Sequence, residues 1–111
     1  MAKGNRNPRS QTNGYFQRIA VDSRLTCMHI GLLMALYYYG ESIKIKFDEN
    51  FRASRRKLMS FSRIRSRATY HKCIKELVCY KYISYEPSWH PQHGSSFQFL
   101  VKEKGGSDEQ A

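Results

Sequence analysis

Apolar positions fall into patterned stretches set apart by polar runs, and the spacing inside each stretch predicts an element. Residues 1–14, "MAKGNRNPRSQTNG", show no apolar period and predict a mobile basic arm. "YFQRIAV", 15–21, alternates weakly, as a short strand or an extended docking segment would. Thr26 then offers an N-cap, with Leu25 and Ile30 placed for a hydrophobic staple across it. Ile30, Leu33, Met34 and Tyr37 recur at helical spacing, Leu32, Leu36 and Tyr39 widen the stripe, and Gly40 offers a stop. "IKIKF", 43–47, alternates as a half-buried strand with Lys44 and Lys46 outward. Ser54 caps a short helix to about Met59, with Phe51, Leu58 and Met59 inward. A tight connection through Ser62 and Ile64 leads to Ser66, the cap of a further helix running to about Tyr80. On that helix Tyr70, Cys73, Ile74, Leu77 and Val78 share the apolar face. "YISYE", 82–86, and "FQFLV", 97–101, read as strands joined by the Pro- and Gly-bearing loop "PSWHPQHGSS", and a polar tail follows.

This element list suits one small α+β domain, the size that 111 residues allow. Charge then changes the picture. The formal net charge is +10, and residues 52–75 hold nine Lys and Arg with no Asp or Glu among them. Charge spread for solubility would not concentrate in this way, so the segment points to an anionic partner, nucleic acid or a membrane surface. The longest apolar run, around "HIGLLMALYYYG", is too short and too interrupted to span a bilayer, and the apolar face of the 66–80 helix is needed by the core. No membrane partner is therefore expected. Three cysteines without a disulfide-type framework, and an N-terminus without the apolar core of a signal peptide, lead to the expectation of a cytoplasmic protein with free thiols.

Two short helices joined tightly, the second amphipathic with a basic outer face, followed by a hairpin, spell a helix-turn-helix with a wing. "SRRKLMSFSRIRSRATYHKCIKELVCYKYISYEPS" resembles the winged helix-turn-helix of bacterial transcription regulators and of the DNA-binding regions of plasmid and phage replication proteins. The resemblance rests on Leu58, Ser66, Thr69, Lys75–Glu76–Leu77 and Tyr82–Ile83. The closing "YEPSWHPQHGSS" is similar to short winged-helix proteins on mobile elements of Bacteroidetes. One departure is Lys81, where many such proteins carry Gly at the end of the recognition helix. The resemblance implies a winged helix with a three-helix core and a small antiparallel sheet. The expected boundaries are an arm at 1–14, a DNA-binding domain at 15–102 and a disordered tail at 103–111.

On this reading the 66–80 helix enters the major groove of double-stranded DNA, with Arg67, Ala68, His71 and Lys75 at base edges. Arg67 is the leading candidate, because Arg is the usual bidentate partner of guanine in the major groove. Its place at a helix N-terminus, which the dipole opposes, is a further sign of an external anion. Arg55, Arg56, Lys57, Arg63, Arg65, Ser66, Thr69 and Lys72 are the candidate phosphate contacts. Trp89, His90, His93 and Ser95 belong to the wing, which lacks Lys and Arg. The function expected is transcriptional regulation or accessory work for a mobile element. The alternative is a non-enzymatic module that docks on protein or structured RNA through aromatic residues such as Tyr37, Tyr38, Tyr39 and Trp89. Two-fold dimers are common in such proteins, and the first helix and the 15–21 segment would supply a homodimer contact.

No enzyme, cofactor or metal is expected. The nine acids show no pairing suited to acid–base chemistry, and no glycine-rich phosphate loop is present. Cys27, His29, His71, Cys73, Cys79, His90 and His93 make neither a C-x2-C pair nor a matched Cys/His set for zinc.

Overall fold

Pro8 stands at the first position of a helix, where its missing N–H costs nothing. The computed structural model describes residues 8–88 and 94–101, with the side chains of the first helix described from Thr12. That helix, α1, covers Pro8–Val21, so residues 8–14 are not an arm and 15–21 are not a strand. Residues 1–7 and the tail 103–111 lie outside the described residues. Little in the pattern marks α1, because among its described side chains only Tyr15 is fully buried. The Tyr15 ring meets Phe47, Phe99 and Tyr82 edge-on, at centroid distances of 5.1, 5.2 and 5.6 Å. Its hydroxyl donates to the Tyr82 carbonyl at 2.7 Å. One turn on, the Arg18 guanidinium lies 4.4 Å from the Tyr82 ring centroid and donates to the carbonyls of Lys81 and Leu100, each at 3.0 Å.

The second helix, α2, runs Cys27–Ser42 from the expected Thr26 cap. Leu32, Leu33, Ala35 and Leu36 are buried, whereas Ile30 and Met34 stand exposed on the outer side. Gly40 does not stop the helix. It sits within it, buried, with the Phe51 ring 3.7 Å from where a Cβ would stand, an ordinary contact distance. The strand expected at 43–47 is absent. Lys44 takes a left-handed backbone (φ 58°), which breaks any extended run, and Ile43 is 53% exposed. Ile45 and Phe47 still pack against the core from this turn.

Strand β1 is Phe51–Ala53, placing Phe51 in the sheet rather than on a helix. Helix α3, Arg55–Ser62, starts at the expected Ser54 cap and extends a turn beyond Met59. Helix α4 follows at Arg67–Cys79, then β2 at Ile83–Glu86 and β3 at Ser95–Phe99. The strands form one antiparallel sheet in the order β1-β3-β2, with Phe51 and Tyr85 flanking Phe97, and Ile83 opposite Phe99. Gly94 has φ +72°, and a Cβ there would come within 2.6 Å of the Ala53 carbonyl oxygen. The chain is thus a small α+β domain of four helices against a three-stranded sheet, among the described residues. No helix among those residues is long and apolar enough to cross a membrane.

Candidate nucleic-acid interface

The α3–α4 connection is built by local backbone chemistry. The Ser54 hydroxyl accepts from the Lys57 N–H at 3.2 Å and opens α3. Arg63 ends it in the left-handed region (φ 65°), and the Ile64 N–H reaches back to the Met59 carbonyl at 3.1 Å. Ile64 turns inward and is buried, plugging the corner. Arg65 stays outside, and the Ser66 hydroxyl accepts from the Thr69 N–H at 3.3 Å to open α4. The connection therefore spans residues 63–66.

Helical spacing then sorts α4. Tyr70, Cys73, Ile74 and Leu77 are buried against α2 and β2, as expected, while Val78 is exposed. Arg67, Ala68, His71, Lys72 and Lys75 are exposed on the outer side. Arg55, Arg56, Lys57, Arg63, Arg65 and Ser66 are exposed as well, and Thr69 is half-buried. The predicted base-edge and phosphate residues thus lie on two successive helices and the turn between them. Ser95 is half-buried at the start of β3, paired with Ala53, and Trp89, His90 and His93 lie outside the described residues.

The contacts between a basic side chain and a carboxylate among the described residues are Arg24 with Asp22 at 2.7 Å and His29 with Glu76 at 2.8 Å. None of them involves a cation of the 52–75 segment. Two of its arginines make hydrogen bonds to backbone: Arg63 Nη1 donates to the Ser60 carbonyl at 3.0 Å, and Arg52 Nη1 to the Gly94 carbonyl at 3.1 Å. Arg52 belongs to the same charge run, and its bond ties β1 to the residue that precedes β3. The helix start at Arg67 carries no acidic residue in its first turn, nor does the start of α3. Both positive helix ends therefore point their dipoles the same way as the side-chain charge. Tyr70 is buried, which takes it out of the solvent-facing set and drives its ionisation well above the ordinary tyrosine range.

A second polar set lies across the interior. The Thr26 N–H donates to His29 Nδ1 at 2.9 Å, so Nδ1 carries no proton and the ring proton resides on Nε2. Nε2 donates to Glu76 Oε1. Cys73 lies beside this pair, its thiol pushed up by burial first and by the Glu76 carboxylate second. Sequence spacing gave no sign of this grouping, because α2 and α4 bring together residues 47 positions apart.

Comparison with protein-family models, with curated proteins and with solved structures finds no match to this chain.

Proposed function

We propose that the chain is a winged-helix protein that binds duplex DNA and has no enzymatic role. On this reading α2, α3 and α4 are the three-helix core, α4 is the reading helix and the β2–β3 hairpin is the wing. The observation that carries it is the acid-free group of exposed cations spanning α3, the turn and the outer side of α4, with no carboxylate partner among the described residues. Such a surface repels itself until an anion covers it, and the repeating charge of a nucleic-acid backbone is the anion that matches its length. Arg67, His71 and Lys75 lie on successive turns of the outer side of α4, so a groove that admits a helix would meet all three. The biological setting proposed is transcriptional regulation or accessory work for a mobile element.

The test is selection from a randomised duplex pool followed by salt titration. With about 6 phosphates neutralised, log affinity should fall against log salt with a slope near −5. Arg67→Ala should cost about 1–3 kcal/mol at one position of the recovered site and relax the preference there. An equal loss on every sequence would reduce Arg67 to a phosphate contact. No retention of any duplex would overturn the proposal. It would favour docking on protein or structured RNA instead, for which the support is the exposed stack of Tyr38 on Phe61, ring centroids 5.2 Å apart.

A further inference from the structure

His29, Cys73 and Glu76 present one imidazole nitrogen, one thiol sulfur and one carboxylate oxygen that all lie within 4.8 Å of one another. Cys73 and Glu76 are three apart on α4, the spacing that sets two side chains on one helical face. His29 reaches them from α2. His29 is 3% and Cys73 4% exposed, whereas the Glu76 side chain is 34% exposed and leaves one side of the group open to water. We propose that these three side chains form a binding site for a borderline-soft divalent cation of the zinc type, with water as the fourth ligand.

The donor set is the ground for that class. Thiolate with imidazole selects zinc-like ions over magnesium or calcium, which take oxygen cages. Around a tetrahedral zinc, with bonds near 2.0–2.3 Å, donor atoms sit roughly 3.5 Å apart. The His29–Glu76 contact of 2.8 Å would open and the spacing to Cys73 adjust for all three to reach one ion. Loading the ion releases the Cys73 thiol proton to solvent. The imidazole keeps its one proton, which passes from Nε2 to Nδ1 as the metal takes Nε2. Nδ1–H then donates to Thr26 Oγ1, already 3.0 Å away, the outer partner a ligating histidine requires. The Thr26 N–H loses its ring acceptor in the exchange, so loading loosens the first turn of α2 while tying α2 to α4.

The site is independent of the proposed DNA surface, and its test needs no DNA. Cys27 and Cys79 are exposed, so Cys27→Ser with Cys79→Ser leaves Cys73 as the sole thiol. Titrating that protein with Co2+ should give tetrahedral visible bands and a thiolate-to-cobalt charge-transfer band, saturating at one ion per chain. Zn2+ should displace the cobalt and bleach both. Glu76→Gln keeps an acceptor for Nε2–H, and with it the fold, but should weaken Zn2+ at least about tenfold in competition with a chromophoric chelator. Absence of the charge-transfer band in the double-serine protein would overturn the proposal. So would unchanged Zn2+ affinity in Glu76→Gln.

Discussion

Lys81 holds a backbone conformation that a side chain makes costly. At φ 69° it is the left-handed residue that ends α4: its N–H bonds the Val78 carbonyl at 3.1 Å and the Tyr82 N–H the Leu77 carbonyl at 3.0 Å. Glycine takes this conformation without a steric cost, and here lysine holds it. The Lys81 side chain is exposed, while its carbonyl serves Arg18. Lys81→Gly should therefore raise stability by about 1 kcal/mol, read from the urea midpoint at unchanged slope. A loss would mean that the lysine side chain makes a contact worth more than the strain. Arg63 pays the same conformational cost at φ 65°, but inside the basic cluster. On the duplex reading Arg63→Gly weakens binding and flattens the salt slope by about 1, whereas Lys81→Gly leaves both alone.

Helix α1 is held to the rest of the chain by polar as well as ring contacts. Tyr15, Arg18 and the Asp22 that follows the helix converge on Tyr82, while Phe16 meets the Tyr37 ring edge-on at 5.5 Å and Ile19 packs against the core. Asp22 accepts from Arg24 and, at 2.9 Å, from the Tyr82 hydroxyl. The Arg24 guanidinium first, helped by the Tyr82 hydroxyl, holds the Asp22 carboxyl well below the usual carboxylate range. Burial, and next the bond to Asp22, pushes Tyr82 up to about 12. A depressed folded-state pKa stabilises the fold above the unfolded value, near 4 for Asp, and that contribution fades as pH falls below it. Asp22→Asn should accordingly be less stable than the parent at neutral pH, and the gap should close as pH drops below about 4. Urea unfolding across a pH series reads this directly, and a gap that stays constant with pH would refute the ionic account. None of this docking was legible beforehand, because one buried ring at Tyr15 makes no period. The α3–turn–α4 pair was legible for the opposite reason: Ser54 and Ser66 are strong caps, and Tyr70, Cys73, Ile74 and Leu77 keep a strict helical interval. The misplaced first strand shows pattern losing to backbone. "IKIKF" alternates well, yet Lys44 turns left-handed and the pairing strand, Phe51–Ala53, is too short to carry a signal of its own. The capping box of α2 escaped notice because His29, rather than the usual Glu or Gln, returns the bond to the Thr26 N–H.

At the scale of the whole molecule the decisive quantity is where the charge of +10 resides. A chain that places nine cations and no acid within 24 residues carries self-repulsion in the free state. A ligand that neutralises this surface should therefore stabilise the fold by mass action, with relief of that repulsion contributing to its affinity. A hundredfold excess of duplex over Kd corresponds to about 2.7 kcal/mol, hence a rise in Tm of roughly 10 °C or more for a domain of this size. The rise should shrink steeply with added salt, since the same counterions compete for the surface. Replacing Arg55, Arg56 and Lys57 together by Gln separates the self-repulsion of the free chain from the binding of duplex. All three are exposed and outside the carboxylate contacts, so their loss removes repulsion without breaking an ion pair. The triple variant should melt above the parent in low salt when free, yet gain less from duplex. If duplex leaves Tm unchanged in low salt, the cations serve some other anion. If the rise survives high salt intact, backbone phosphates are not what the surface reads.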